Sequence, residues 1–292
     1  MKTRIIYNPR SGDLTRKPAL LTLAQRWVSD HRPETTIVPT ERGGHATELA
    51  RQAVADGCGI IMAFGGDGTM NEVAQALLGT QATLALLPCG SGNGLARHLG
   101  IPLDPAAALS LLLTGRPRTI DAGLADSRPF FVVAGLGFEA VIARRFSSLT
   151  NRGLAGYIRT GVRTWWGYAP QDYAITHSGE SPHTHRAFTL AVANSSQYGN
   201  NARIAPAAEV DDGLLDLTAV PPITVLNATP LLLALFRGTL ARQSSVPQLR
   251  AEKFTVERST PGPLHTDGET HEAGTRVEFT VRPRCLRVLV PS

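Results

Sequence analysis

The sequence contains little cysteine and no long apolar run. Its three cysteines, Cys58, Cys89 and Cys285, are odd in number and far apart. This spacing argues against a disulfide framework or a zinc site built on cysteine pairs. The longest apolar run, residues 231–236, is much shorter than the roughly 20 residues that cross a bilayer. The first residues reach a turn at Asn8-Pro9, too soon for the apolar core of a signal peptide. We therefore expect a cytoplasmic protein, able at most to lie peripherally at the inner face of the membrane.

Charged residues are also scarce. They make up 18% of the chain against an apolar fraction of 42%, which argues against a disordered or fibrous protein. The net charge is +5, and arginine supplies nearly all of the basic residues, because Lys2, Lys17 and Lys253 are the only lysines. Guanidinium groups suit phosphate, so nucleotides and anionic membrane surfaces are candidate partners. A genome that favours arginine codons explains the excess equally well. Since no basic cluster exceeds two residues, we expect no nucleic-acid partner.

A length of 292 residues predicts about two domains. Residues 1–121 alternate between strand and helix patterns, which is typical of a Rossmann-like parallel sheet covered by helices. The predicted strands of this domain cover residues 4–7, 35–38, 59–64 and 83–87. The predicted helices cover residues 18–29, 46–55, 71–78, 94–99 and 106–113.

After Asp121 the pattern changes to short strands separated by turn residues. It predicts a second domain over residues 122–285, an antiparallel β-sandwich. Its predicted strands cover residues 130–133, 186–192, 214–220, 253–257 and 277–281. A last strand at residues 286–290 could return to the first domain. Helical patterns cover residues 139–146, 157–167 and 229–242.

Two glycine-rich loops follow neighbouring predicted strands. The first is Gly65-Gly66-Asp67-Gly68-Thr69, and the second is Gly90-Ser91-Gly92-Asn93-Gly94. Open α/β sheets bind ligands at such strand ends, and the helix N-terminus that follows suits phosphate. Thr69 and Glu72 also match a capping box. For either loop alone, a purely structural strand-to-helix turn is the alternative.

The chemistry of these loops narrows the possible functions. An acid such as Asp67 beside a phosphate is costly unless it holds a metal ion or a proton. Neither loop has the pattern of a Walker phosphate loop or a dinucleotide fingerprint, which disfavours that type of ATPase and an ordinary dehydrogenase. Two further acidic segments, Asp267-Gly268-Glu269 and Asp211-Asp212-Gly213, are on their residues alone more typical of solvated turns.

Taken together, these motifs resemble the diacylglycerol kinase catalytic-domain family, which includes sphingosine and ceramide kinases and bacterial lipid kinases. The GGDGT loop alone is also similar to that of NAD kinases and phosphofructokinases, but the full ordered set is specific and spans nearly the whole chain. The other matching segments are Asn8-Pro9-Arg10-Ser11-Gly12, Thr40, Gly44-His45-Ala46, Asn71-Glu72, Ala96-Arg97, Asp121, Gly135-Leu136-Gly137-Phe138, Asn194, Tyr198-Gly199, Ile204-Ala205-Pro206-Ala207-Ala208, Asp211-Asp212-Gly213-Leu214-Leu215-Asp216 and Asp267-Gly268-Glu269.

The resemblance implies transfer of the γ-phosphate of ATP to a hydroxyl of a membrane lipid, in a cleft between the two domains. It implies ATP and Mg²⁺ as substrate and cofactor, with Asp67 organising the catalytic Mg²⁺. The residues that it places around ATP are Asn8, Thr40, Gly65, Gly66, Asp67, Gly68, Thr69, Asn71, Gly90, Ser91 and Asn93.

The resemblance also assigns roles in the second domain. It implies that Asp267 is the general base, with Glu269 in a supporting or metal-linked role. It further implies a structural Mg²⁺ held by Asp212 together with backbone oxygens near Glu209 and Leu214. Oxygen ligands of this kind suit Mg²⁺.

One departure from the family pattern leaves the lipid open. Gly94 stands where many bacterial relatives have an acid, and sphingosine-kinase-like members share this difference. The acceptor therefore stays open between diacylglycerol, a sphingoid base and related lipids. An NAD kinase or a related small-molecule kinase is an alternative, and so is a non-catalytic regulator that binds lipid or nucleotide. The oligomeric state is open, and a homodimer is compatible with the sequence.

Two segments could contact a membrane. Trp165-Trp166-Gly167-Tyr168 and residues 231–236 could touch lipid, although core packing or crevice lining explains such residues as well. Several nearby arginines could meet anionic headgroups or form a solvated helix face. They are Arg144, Arg145, Arg152, Arg159 and Arg163.

Overall fold

A computed structural model gives the fold and describes residues 2–13, 15–147, 161 and 164–292. The chain forms two units. The N-terminal unit comprises Met1–Ile120 and Arg284–Ser292, and the C-terminal unit comprises Asp121–Pro283.

The N-terminal unit contains a parallel sheet with strand order β2-β1-β3-β4. The last strand of the chain, β16, joins this sheet beside β4 and runs parallel to it, with Arg287 opposite Thr83. The side chains of Ile5, Ile61 and Leu84 are fully buried along its centre. The bounds are β1 Thr3–Tyr7, β2 Thr36–Pro39, β3 Ile60–Gly65, β4 Thr83–Pro88 and β16 Arg276–Val290.

Five helices accompany this sheet. They are α1 Lys17–His31, α2 His45–Ala55, α3 Asp67–Leu77, α4 Gly94–His98 and α5 Pro105–Thr114. α3 packs against β3 and β4, α5 packs against β4, and α2 packs against α3. The predicted parallel α/β architecture is confirmed, because each apolar run between glycine-rich turns forms a buried strand or a covering helix.

The C-terminal unit is a β-sandwich. One sheet is antiparallel with order β12-β11-β10-β7-β14-β15, and the other contains the first half of β16 followed by β13, β8 and β9, with β5 and β6 beside it. Between the sheets lies a cluster that includes the buried rings of Phe130, Tyr173, Phe254 and Phe279. The bounds are β5 Arg116–Ala125, β6 Arg128–Phe130, β7 Val133–Gly137, β8 Gln171–His177, β9 His183–Ala187, β10 Thr189–Ala193, β11 Leu215–Val220, β12 Gln248–Ala251, β13 Lys253–Arg258, β14 Gly262–Thr266 and β15 Glu269–Ala273.

Two helices of this unit matter for the site. α6, Phe138–Ser147, packs against β14 and β15. α7, Val225–Arg237, begins with a capping box formed by Thr224 and Asn227 and ends at Gly238, whose φ is 67°. Among the described residues, no helix is long and apolar enough to span a bilayer.

Several predicted elements differ from the structure. The predicted strands 277–281 and 286–290 form one strand, β16. The backbone kinks at Arg284 (φ 49°) after Pro283, but the strand pairs with β13 before this residue and with β4 after it. The predicted strand 130–133 is divided in the structure, because β6 ends at Phe130 and β7 begins at Val133. α7 begins at residue 225 rather than 229. Part of the predicted helix 157–167 lies outside the described residues.

The predicted capping box at Thr69 and Glu72 is wrong. α3 begins at Asp67, so Thr69 is its third residue, and the helix start shows no side-chain cap. The Glu72 carboxylate instead accepts the N–H of Ala46 at the start of α2, at 3.0 Å. Glycine is unusual in a helical turn. Gly66 and Gly68 therefore gave no indication in the sequence that the helix begins at Asp67.

Candidate active site

The two glycine-rich loops touch at the carboxyl ends of β3 and β4, where Gly65 pairs with Pro88. A Cβ atom on Gly90 would lie 2.7 Å from the Cα of Gly66. Real Cβ atoms do not approach a backbone atom so closely, so a side chain at this position would push the loops apart. Glycine is thus required here for close approach of the two backbones.

Asp67 joins the first loop to the second. Its Oδ2 accepts the N–H of Asn93 at 2.9 Å, and its Oδ1 accepts the N–H of Gly94 at 2.8 Å. Burial raises the pKa of the Asp67 carboxyl above its ordinary value, and the two N–H donors oppose part of that rise. The carboxylate is therefore fixed in direction at the start of α4.

The other predicted nucleotide residues of the N-terminal unit lie along the same edge of the sheet. Asn8 follows β1, and its Nδ2 donates to the Oγ1 of Thr69 at 2.8 Å. Thr40 follows β2 and is buried, and its N–H donates to the carbonyl of Tyr7 at 2.8 Å. Asn71 is buried on α3, where its side chain bonds to Gln75. Strand order thus brings together residues from four separate motifs.

Exposure differs along the two loops. Gly68 and Ser91 are exposed, and Thr69 and Asn93 are buried. A small cavity between the loops is lined by Gly65, Gly66, Asp67 and Asn93 together with apolar side chains of β3, β4 and α4. The loops therefore present backbone N–H groups and one carboxylate at the carboxyl edge of the sheet, the usual position of ligands in this type of fold.

The acidic turn of the C-terminal unit connects β14 to β15. The carboxylate of Asp267 accepts three backbone N–H groups, from Phe131 at 2.8 Å, Val132 at 2.9 Å and Val133 at 3.0 Å. The backbone N–H of Asp267 donates to the carbonyl of Val133, and its φ is 49°. These bonds hold the Asp267 carboxylate in one orientation and tie the turn to the start of β7.

Glu269 differs from Asp267 in its surroundings. It is exposed at the first position of β15. Within the described part of the chain, its carboxylate makes no hydrogen bond or salt bridge. Its negative charge acts on His271, where it partly opposes the burial that lowers the pKa of that histidine. A solvent-exposed carboxylate without a hydrogen bond has lone pairs available to accept a proton from a ligand.

A buried polar cluster beside this turn was not recognised from the sequence. Glu139 on α6 accepts a hydrogen bond from the Tyr198 hydroxyl, and its other oxygen lies 2.7 Å from Nε2 of His265 on β14. A Cβ atom on Gly135 would lie 1.8 Å from this carboxylate, so the glycine makes room for it. The sequence could have indicated this cluster, because Gly135 and Tyr198 both belong to motifs that resemble the diacylglycerol kinase family. The cluster fixes α6 against the strand that leads into the acidic turn.

The predicted structural Mg²⁺ site does not fit the geometry. The guanidinium of Arg250 contacts the Asp212 carboxylate, and its Nε lies 3.3 Å from Asp216. The other oxygen of Asp212 accepts the N–H of Leu214 at 2.9 Å, and Glu209 is exposed. Burial raises the pKa of Asp216 to about 6 despite this guanidinium. Arg250 therefore stands where the prediction requires a cation.

Side-chain metal clusters of another kind are absent from the described residues, where no three histidine, cysteine or acidic side chains are grouped closely enough to hold a metal ion. The ligand set Asp212, Glu209 and Leu214 that the resemblance implies stays a prediction. In the structure, Asp212 belongs to a charge cluster with Arg250 and Asp216, in which Arg250 on the neighbouring strand β12 supplies positive charge to the two acids.

This charge cluster predicts that chelation does not destabilise the protein. A ligand that binds only the folded state raises its melting temperature, so removing a structural Mg²⁺ would lower it. We expect the same melting temperature in EDTA and in excess Mg²⁺ without nucleotide, to within about 1 °C. The Arg250→Met substitution should lower the free energy of unfolding by about 1–3 kcal/mol, because it leaves a buried carboxyl without its partner. A fall of several degrees in EDTA would instead support the structural Mg²⁺ that the resemblance implies.

Comparison with known proteins agrees with this arrangement. Residues 2–125 match the model of the diacylglycerol kinase catalytic domain. Residues 132–290 match the YegS C-terminal NAD kinase beta sandwich-like domain.

Full-length relatives are also similar. A Pseudomonas aeruginosa (strain UCBPP-PA14) protein named "Probable lipid kinase YegS-like" is 33% identical over 271 residues, which cover 89% of this chain and 85% of the relative. A protein of the same name from Chromohalobacter salexigens is 33% identical over 273 residues, covering 91% and 86%.

Two solved structures share the fold. A diacylglycerol kinase from Bacillus anthracis str. Sterne aligns with a TM-score of 0.75 at 21% identity, covering 99% of this chain and 96% of that one. Yeast NADH kinase aligns with a TM-score of 0.55 at 10% identity, covering 100% and 84%. Identities this low show the fold alone. Since one family model spans more than half of the chain and the full-length relatives exceed 30% identity, the chain belongs to the family of YegS-like kinases with a diacylglycerol kinase catalytic domain, and it is a kinase.

Proposed function

We propose that this kinase transfers the γ-phosphoryl group of ATP to a hydroxyl group of a membrane lipid. The observation that carries this proposal is the pair of touching glycine loops joined through Asp67, in a chain whose relatives are named lipid kinases. Phosphoryl transfer requires positioning and charge neutralisation more than covalent chemistry from the protein. Backbone N–H groups and an oriented carboxylate are well suited to both tasks.

The nucleotide is proposed to bind along the carboxyl edge of the parallel sheet. The first N–H groups of α3 have no partner within the helix and can donate to phosphate. Gly68 is exposed there, which leaves its backbone accessible. Asn8, Thr40, Asn71 and the second loop complete the proposed binding residues.

Asp67 is also suited to hold a cation. A carboxylate has about four lone-pair sites, and the N–H groups of Asn93 and Gly94 use two of them. We propose that Asp67 orients the Mg²⁺ that accompanies the nucleotide. When bound, this ion neutralises the negative charge on the transferred phosphoryl group.

We propose that Glu269 accepts the proton of the lipid hydroxyl and that Asp267 positions it. The resemblance gives the base role to Asp267, but three backbone N–H groups already engage that carboxylate. Glu269 is exposed and makes no hydrogen bond or salt bridge among the described residues, and the charged group that it acts on is His271. Because Asp267 ties the turn to the start of β7, it would hold Glu269 in a constant place.

The identity of the acceptor lipid stays open. Diacylglycerol, a sphingoid base and related lipids each present a hydroxyl group beside a polar headgroup. NAD phosphorylation is the main alternative, since the yeast NADH kinase shares the fold, although at 10% identity. A non-catalytic regulator is less consistent with the presence of Asp67, Asp267 and Glu269 together.

ADP release separates these functions. The purified protein is mixed with ATP and Mg²⁺, and detergent micelles are added with or without each candidate lipid. We expect ADP release to rise when a lipid that carries a free hydroxyl is present and to stay at background with NAD. NADP formation would instead establish an NAD kinase. ATP binding without ADP release across the whole panel would establish a regulator.

An exposed apolar surface of the C-terminal unit is the proposed membrane contact. It consists of Trp166 (80% exposed) and the first residues of α7, Val225 and Leu226 (77% and 90%). The indole N–H of Trp165 donates to the carbonyl of Ile223 at 3.3 Å, which holds the Trp165-Trp166 pair near the start of α7. An enzyme whose substrate lies in a bilayer must reach the headgroup region, where tryptophan and apolar side chains insert favourably.

The arginines expected to meet anionic headgroups contribute less to this proposal. Arg144 pairs with Glu272, and Arg145 donates to Thr164. Arg152, Arg159 and Arg163 lie outside the described residues. The proposed contact therefore depends on apolar insertion, and we expect it to vary little with salt.

Vesicle binding tests this surface. The double substitution Trp166→Ala with Leu226→Gln should weaken binding to phospholipid vesicles at least tenfold, because each buried apolar side chain contributes about 1.5–3 kcal/mol. The matched control is Leu113→Gln, which alters an exposed leucine of α5 in the N-terminal unit (53% exposed). Co-sedimentation measures both. Equal binding by the two variants would show that the membrane contact lies elsewhere.

A further inference from the structure

Buried Lys17 and partly exposed Cys89 form an amine–thiol pair in the N-terminal unit. Lys17 begins α1 and is only 3% exposed. Its Nζ lies 2.7 Å from the Sγ of Cys89 and donates to the Oγ of Ser11 at 3.0 Å. The rings of Tyr7 and Phe64 lie 5.4 and 4.8 Å from the same ammonium group.

The surroundings of this lysine are unusual. A buried ammonium group is costly and ordinarily pairs with a carboxylate. Within the described residues Lys17 has no carboxylate partner, and its contacts are a thiol, a hydroxyl group and two aromatic faces. Among these contacts, the Cys89 thiol is the group that an oxidant can modify. A thiolate is the form of cysteine that reacts with oxidants.

The distance between the two atoms is also short. A separation of 2.7 Å is less than the roughly 2.9 Å of an ordinary N–H···O hydrogen bond, although sulfur is the larger atom. Cys89 is half-exposed, so a small oxidant can reach it, whereas Cys58 and Cys285 are buried. Nitrogen and sulfur are thus held in contact at a thiol that solvent can reach.

We propose that Lys17 and Cys89 form a reversible covalent crosslink when a peroxide oxidises the protein. First, the Cys89 thiolate attacks one peroxide oxygen, so that the sulfur is oxidised to a sulfenic acid and hydroxide leaves. Next, the Lys17 ammonium group gives one proton to the released hydroxide, which becomes water. The amine lone pair then attacks the sulfur, so that an S–N bond forms and the S–O bond breaks. The sulfenic hydroxyl group takes a second proton from the nitrogen and leaves as water. Sulfenic acids are known to condense with nitrogen nucleophiles to sulfenamides.

The crosslink would join two segments that already touch. Cys89 directly precedes Gly90 of the second glycine loop, and a Cβ atom on Gly12 would lie 1.9 Å from the Cys89 carbonyl oxygen. The bond would therefore fasten the start of α1 to that loop. The chemistry requires only the contact of Nζ with Sγ and does not depend on the proposed lipid kinase function.

Mass spectrometry of the full chain tests the crosslink. Treatment with dilute hydrogen peroxide should lower the intact mass by about 2 Da. Proteolysis should then yield one species that joins the peptide of Lys17 to the peptide of Cys89, and dithiothreitol should separate them. Cys89→Ser should abolish this species, and the matched controls Cys58→Ser and Cys285→Ser should retain it.

Lys17→Arg separates the crosslink from ordinary cysteine oxidation, because arginine keeps the positive charge but is a poor nucleophile. In this variant we expect Cys89 to gain oxygen without joining another peptide. Two results would overturn the proposal. One is the same loss of about 2 Da in Lys17→Arg, which indicates a disulfide. The other is oxidation of the unsubstituted protein to sulfinic or sulfonic acid with no joined peptide. The second result is decisive even if Lys17→Arg fails to fold.

Discussion

Replacing Asp67 with Asn is expected to lower kcat/KM for ATP by about 10²–10³-fold, because it removes an oriented charge from the site of phosphoryl transfer. The amide cannot accept both N–H groups that the carboxylate accepts from Asn93 and Gly94. The two glycine loops should therefore also lose part of their alignment. Initial rates at varied ATP concentration measure the effect.

Two comparisons show whether Asp67 acts through a metal ion. Asp30→Asn, which changes an exposed acid of α1, is the matched control and should leave the rate unchanged. In equilibrium binding, Asp67→Asn should weaken binding of ATP with Mg²⁺ much more than binding of ATP in EDTA. An equal loss with and without Mg²⁺ would mean that Asp67 only aligns the loops.

Replacing Glu269 with Gln is expected to lower kcat by about 10²–10⁴-fold, the usual contribution of a general base. The melting temperature should change little, because the side chain is exposed and makes no hydrogen bond or salt bridge among the described residues. Asp267→Asn should behave differently. In the unsubstituted protein, three backbone N–H groups donate to the Asp267 carboxylate. The NH2 group of asparagine cannot accept a hydrogen bond, so a backbone N–H would lose its acceptor. A buried donor left unsatisfied costs about 1–3 kcal/mol. We therefore expect Asp267→Asn to lose stability along with activity.

The pair of variants decides between the two possible bases. Glu272→Gln is the matched control, because this acid is also exposed on β15 and pairs at the surface with Arg144. Full activity in Glu269→Gln, together with loss of activity in a folded Asp267→Asn protein, would assign the base to Asp267, as the sequence resemblance implies. Loss of activity in Glu269→Gln at unchanged stability supports the present assignment.

The N-terminal unit was largely predictable from its sequence. Each of its buried strands is a short apolar run bounded by glycine or proline, and patterns of this kind are local. The approach of Gly66 to Gly90 also follows from local patterns, because neighbouring parallel strands end at the same edge. The start of α3 was missed, since Gly66 and Gly68 mask the helix that begins at Asp67.

The C-terminal unit was less predictable because its important contacts are distant in sequence. The Asp267 carboxylate binds backbone N–H groups more than 130 residues away. The strands β8, β14 and β15 are rich in histidine, threonine and charged residues, so their alternation is weak. The pairing of Arg250 with Asp212 likewise depends on the register of β11 and β12, which no local pattern gives.

The central claim is that a lipid hydroxyl receives the γ-phosphoryl group of ATP. The most direct measurement uses ATP labelled in the γ-phosphate together with micelles that each contain one candidate lipid. The lipid extract is then separated and each labelled product is identified by mass spectrometry. With the unsubstituted protein, the account predicts that label appears on a lipid as one added phosphoryl group. The labelled product should be nearly lost in Asp67→Asn and Glu269→Gln. Label that remains in the aqueous phase for every lipid, while ATP is consumed, would contradict it.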